Sequence, residues 1–109
     1  MIYNVTMFLL IFYVPKTHLE EVKKVLFAKG AGRYEKYDMC SWEVLGKGQF
    51  RPLAGSEPFT GDIGKIKRID EYRVEILCRK DILKNVVDEL ISVHPYQEPA
   101  YYVIELEKL

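Results

Sequence analysis

The run MFLLIFYV, Met7 to Val14, contains no charged residue and is stopped by Pro15. It is far too short to cross a bilayer, for which a helix needs roughly 20 apolar residues. It also lacks the basic lead-in and small-residue cleavage site of a secretory signal. β-Branched and aromatic side chains from Tyr3 to Val14 favour a strand, and the missing alternation in its second half predicts one buried on both faces. A chain of 109 residues built around such a strand is expected to form one domain, residues 1–109, with a single core.

The other elements follow from period and punctuation. Thr17 to Glu20 spells T-H-L-E, a capping-box pattern, and Leu19, Val22, Val25 and Leu26 then share one helix face up to a left-handed stop at Gly30. From Asp38 the pattern alternates, with Cys40, Trp42 and Val44 facing away from Ser41, Glu43 and Leu45, and a fray or bulge is expected at Gly46 and Gly48. After a long connection from Gly46 to Arg68, Tyr72, Val74, Ile76 and Cys78 share the face of a third strand, with Glu71, Arg73, Glu75 and Leu77 opposite. Ile82 through Ile91 keep helical spacing and must stop before Pro95. Tyr102, Ile104 and Leu106 are read as the inward face of a last strand. This order predicts an α+β, ferredoxin-like βαββαβ split: a four-stranded antiparallel sheet with two helices on one face.

The other face of that sheet has no cover within the chain. Phe8, Leu10 and Phe12, or their alternates Leu9, Ile11 and Tyr13, would then meet water, so a homo-oligomer is expected. An apolar content of 49%, with eight Tyr and five Phe, points the same way. Sixteen basic residues balance sixteen acidic ones, and no basic stripe laced with aromatics appears, so neither nucleic acid nor a membrane surface is an expected partner. Cys40 and Cys78 lack CxxC spacing and are too few for a disulfide framework. They are expected to be free thiols in a reducing cytoplasm.

Two stretches hold unusual polar chemistry. In HPYQEP, residues 94–99, the alternating His94, Tyr96 and Glu98 suit a metal or a small polar ligand, while Pro95 and Pro99 suit a stiff elbow. The elbow is the preferred reading. The connection from Gly46 to Arg68 holds glycines and cations able to cradle an anion, but it contains neither a P-loop nor a dinucleotide fingerprint. A hairpin whose Phe50 and Phe59 pack onto the domain or a neighbour is expected instead. His18 is read as a solvated first-turn residue. Buried thiols are poor nucleophiles, and symmetric pairing about Phe59 would bring the sulfurs of Cys40 and Cys78 together. Glu20 with Glu21 and Asp88 with Glu89 are adjacent on solvated helix faces, and two histidines assemble no triad. No enzyme is expected.

The segments GAGRYEKYDMCSW, GKGQFRPLAGSEPFTG and HPYQEPAYYVIEL, with the VP that ends the first strand, resemble the PII-like insert domain of the Nif-three-like family over Met7 to Glu107. HPY-x-x-P also resembles the matching stretch of the CutA divalent-ion-tolerance proteins, whose trimers share the ferredoxin-like fold. Full-length members of the Nif-three-like family carry the insert within a larger domain that binds two metal ions, and the resemblance therefore implies a free-standing insert module without that dinuclear site or hydrolase-like activity. Glu35 stands where the family often has glycine, and Gln97 where glutamate is usual. The resemblance implies a non-enzymatic, cytoplasmic PII/CutA-like module without a cofactor, assembled as a trimer and binding a small ligand between subunits. Tyr37, Cys40, Trp42, His94, Tyr96 and Glu98 are the expected pocket residues. Divalent metal binding of CutA type through His94 and Glu98 is the alternative, and an interaction module for a separate protein is the third.

Overall fold

The computed structural model describes residues 5–107, so the Tyr3–Asn4 start of the expected first strand lies outside the described residues. Strand β1 (Met7–Val14) leads into helix α1 (Lys16–Ala28), followed by β2 (Trp42–Phe50), β3 (Lys67–Arg79), α2 (Lys80–Val93) and β4 (Tyr101–Glu105). The sheet order is β2-β3-β1-β4 and every pairing is antiparallel. The predicted βαββαβ architecture is therefore the observed one, with the apolar β1 inside the sheet.

Register decides which side chains meet the helices. Leu10 lies opposite Ile76 and Val103, and Phe12 opposite Val74 and Tyr101. Leu10, Phe12, Val14, Val74, Ile76 and Cys78 form the core with Leu19, Val22 and Leu26 of α1 and Val86 and Leu90 of α2. Tyr101 packs against that core, whereas Tyr102 and Ile104 are exposed on the other face. Tyr101 and Val103 thus share the helix side of β4, with Tyr101 packed on the core and Val103 exposed, whereas Tyr102 and Ile104 face away and Leu106 lies beyond the strand. Residues 101–104 are all apolar, so their pattern cannot set the phase, and a one-residue slip exchanges the two faces.

Three local expectations are also corrected. Helix α1 starts at Lys16 with Pro15 as its N-cap and no side-chain cap. The His18 N–H donates to the Pro15 carbonyl, and Thr17 Oγ1 sits 2.9 Å from His18 Nδ1, so the T-H-L-E box does not form. Strand β2 pairs without a bulge through Gly46 and Gly48 to Phe50, leaving residues 51–66 as the true connection. A Cβ at Gly48 would stand 2.6 Å from Glu71 Cδ, so this glycine makes room for a carboxylate. Finally, Cys40 precedes β2. The Gly32 N–H donates to Leu77 O and the Cys40 N–H to Gly32 O, which places residue 32 between Cys40 and β3. The hairpin is symmetric about the Pro58–Phe59 bond rather than about Phe59, an offset that also aligns position 40 with Leu77 instead of Cys78. Both cysteines are free.

The turn after α1 is tightly specified. Gly30 has φ of 99° as expected for a left-handed stop, and Glu35 has φ of 53°, the region glycine enters freely. Gly32 has φ of 82°, and an added Cβ would lie 2.8 Å from Cys40 O and 2.9 Å from the Phe27 ring. Gly32→Ala is therefore expected to lower the unfolding free energy by about 2 kcal/mol, combining left-handed strain with a backbone clash. Urea denaturation would show it as a lower midpoint with an unchanged slope.

On the helix-free face, Leu9, Ile11 and Tyr13 alternate with the core residues of β1. Ile11 is only 3% exposed although it stands outside the helix-side core. Its cover comes from neighbours in the sheet, Tyr102 and Glu75 lying directly opposite it. The expectation that this row of β1 would meet water is corrected at Ile11, while Leu9 and Tyr13 are half-buried, and the more exposed apolar groups on this face are the flanking Trp42, Val44, Tyr102 and Ile104. Leu53, Ile63 and Ile66 in the β2–β3 connection are exposed as well.

Candidate functional site

The elbow between α2 and β4 is organised by one imidazole. His94 ends α2, its N–H donating to Leu90 O, and takes the extended backbone that a following proline favours. The residue is 6% exposed. The Tyr96 N–H lies 3.1 Å from Nδ1, and Nε2 lies 2.6 Å from Tyr13 O. An amide can only donate and a carbonyl can only accept, so Nδ1 is the bare nitrogen and Nε2 carries the hydrogen. Burial lowers the His94 pKa, the Tyr13 hydrogen bond opposes that, and His18 adds to the lowering. The imidazole is a neutral bridge from α2 to β1.

Tyr96 follows with its ring 4.8 Å from His94 and 5.9 Å from Phe59, centroid to centroid. Phe59 meets His18 edge-on at 5.6 Å, so His18 is covered by an aromatic ring rather than freely solvated. The Tyr96 hydroxyl donates to Glu71 Oε2 at 3.2 Å. Burial raises the Glu71 pKa, partly offset by that hydrogen bond, and pushes the Tyr96 phenol upward with help from Glu71. The β2–β3 connection folds back over this cluster. Glu57 N–H donates to Gln97 Oε1 at 2.9 Å, and Gly64 N–H to Pro52 O at 2.7 Å.

Between the connection and the elbow lies a cleft of about 320 Å³. Its walls are Tyr13, Phe50, Pro52, Pro58, Phe59 and Tyr96, and its polar groups include Glu71, Gln97 and Glu98. Phe50 and Phe59 thus pack down onto the domain as expected, and in doing so they build the cleft. Of the six residues expected to form a pocket, Tyr96 and Glu98 line it and His94 stands behind Tyr96. Tyr37, Cys40 and Trp42 do not line it, and Tyr37 and Trp42 are exposed. Trp42 pairs with Glu75, four positions along β2 from the Gly46–Glu71 pair, roughly 13 Å away at about 3.3 Å per residue. Tyr13 and Glu71 were not singled out by the sequence reading. The signal available for Glu71 was the G-x-G of β2, read as a bulge.

Neither nitrogen of His94 retains a free lone pair for a metal, and among the described residues no group of three or more His, Cys, Asp or Glu is placed to hold one. Cys78 is buried on the helix side, where burial, with Asp81 contributing, pushes its thiol up to about 11.

No family model matches the chain. It is 40% identical over 96 residues to a GTP cyclohydrolase 1 type 2 homolog of Mycobacterium leprae, covering 88% of this chain and 25% of the relative. The Bacillus subtilis homolog of the same name is 38% identical, with 88% and 26% covered. The chain thus spans about a quarter of the length of these relatives. Among solved structures, a Bacillus cereus protein related to NIF3 superposes with a TM-score of 0.82 at 33% identity, over 95% of this chain and 26% of that one. The periplasmic divalent cation tolerance protein CutA from Archaeoglobus fulgidus gives 0.68 at 21% identity, over 94% and 85%. The resemblance read from the three motifs holds. The chain is homologous to a segment of NIF3-related proteins and shares the fold of CutA.

Proposed function

We propose that this homologue of a NIF3-related segment works as a non-enzymatic PII/CutA-like module: residues 1–109 form one domain, copies assemble into a trimer, and a small ligand enters the cleft at the elbow. The observation that carries the reading is the construction of the cleft. Aromatic walls from β1, the β2–β3 connection and the elbow surround one partly buried carboxylate, a layout typical of small-molecule sites, and the Gln97 clip holds the connection over it. Assembly is supported by the exposed Trp42, Val44, Tyr102 and Ile104 on the sheet and by Leu53, Ile63 and Ile66 on the projecting connection. Two free cysteines suit the reducing cytoplasm. Among the described residues, the one buried imidazole is fully hydrogen-bonded and the Cys78 thiol is pushed up to about 11, so neither of these two groups serves as an activated base or nucleophile.

Ligand entry should order the connection. Hydrogen exchange at Ser56, Glu57 and Gly64 is expected to slow on adding a binding member of a panel of amines, metabolites and nucleotides, GTP included. Exchange unchanged across the panel would remove the ligand from the proposal.

A further inference from the structure

We propose that the cleft takes a small organic cation, an ammonium or guanidinium group held between the aromatic walls and the Glu71 carboxylate. This rests on the reading of the cleft as a ligand site and adds the charge and class of what enters. The lining includes two carboxylates, Glu71 and Glu98, and no lysine or arginine. Among the described residues neither carboxylate takes part in an ion pair. A carboxylate held in an apolar cleft with no cation beside it bears a desolvation cost that the Tyr96 hydrogen bond offsets only in part, and a positively charged ligand removes the remainder. Four rings, Tyr13, Phe50, Phe59 and Tyr96, line the same space, and the faces of aromatic rings attract cations for the same electrostatic reason. An anion would meet like charge, and a neutral apolar ligand would desolvate Glu71 further while giving it no partner.

The carboxylate is also held in place: Tyr96 donates to Oε2, and the missing Cβ at Gly48 gives the head group its resting place against β2. Hard metal ions want several oxygen ligands at once, whereas a diffuse organic cation needs one carboxylate and ring faces.

The test titrates the full chain, followed by amide NMR shifts, with tetramethylammonium chloride and methylguanidinium chloride, and with tert-butyl alcohol and acetate as the neutral and anionic counterparts. At least one cation should give saturable shifts at Glu57, Tyr96 and Gln97 and bind about tenfold more tightly than tert-butyl alcohol, with acetate inert. Glu71→Gln should lose about that tenfold preference. Gly48→Ala, which leaves the carboxylate in the chain but pushes it from its resting place, should lose affinity as well. Equal binding of alcohol and cations, or unchanged cation affinity in both variants, overturns the cation assignment and leaves a ligand cleft of another class. Silence from all four probes overturns the cation assignment too, and silence that extends to the wider metabolite panel takes the cleft reading with it.

Discussion

Light scattering should find the chain at three times its 12.8 kDa mass, and the double variant Trp42→Glu, Ile104→Glu should run as a folded monomer at concentrations where the parent is assembled. Trp42 is 57% exposed and Ile104 47% on the helix-free face. Burying such side chains contributes about 1.5–3 kcal/mol each, repeated at every contact of a closed ring, so two carboxylates per copy suffice to prevent closure. The monomer should survive because Ile11, the residue of β1 that most needs cover on this face, is already 3% exposed within one chain. Helical and sheet signals in circular dichroism should therefore be unchanged. A parent chain that stays monomeric at high concentration would end the trimer proposal, and so would a variant that remains assembled.

That same face shows where sequence reading works and where it stops. The central position of β1 was legible because eight consecutive apolar residues admit few alternatives, and α2 was legible because its helical spacing runs directly into Pro95. The phase of β4 was not, since an unbroken apolar stretch fits both faces equally and only pairing with Phe12 selects one. The elbow was legible as an elbow, and proline made it so. Its role in a cleft was not, because Tyr96 meets Glu71 across 25 positions of chain and meets Phe59 through a loop whose path no period encodes. Gly46 and Gly48 misled for a related reason: a glycine in a strand marks either a bulge or the close approach of another group, and the approaching group here comes from the partner strand.

His94 is the residue on which the elbow depends most, and its removal should be costly. His94→Ala leaves Tyr13 O and the Tyr96 N–H without partners at a buried position, each costing about 1–3 kcal/mol, so a total loss of about 3 kcal/mol is expected at pH 8. His94→Gln, which retains a donor for Tyr13 O, should lose less. The two variants should also differ from the parent in acid. The folded pKa of His94 is lowered from its ordinary 6.5 by burial. Below about pH 6.5 the unfolded chain therefore takes up a proton that the folded chain resists. The His94 contribution is present above that pH and is lost as pH falls towards the lowered folded value. Glu71, with its pKa raised by burial, works in the opposite direction and at lower pH, and the nearby His18 and Tyr96 are common to all three proteins. The decisive quantity is thus the difference in urea midpoint between parent and His94→Gln, which should narrow from pH 8 to pH 5. A constant difference across that range would show that the imidazole is not held neutral between Tyr13 and Tyr96, and the tautomer derived from its two hydrogen bonds would be wrong.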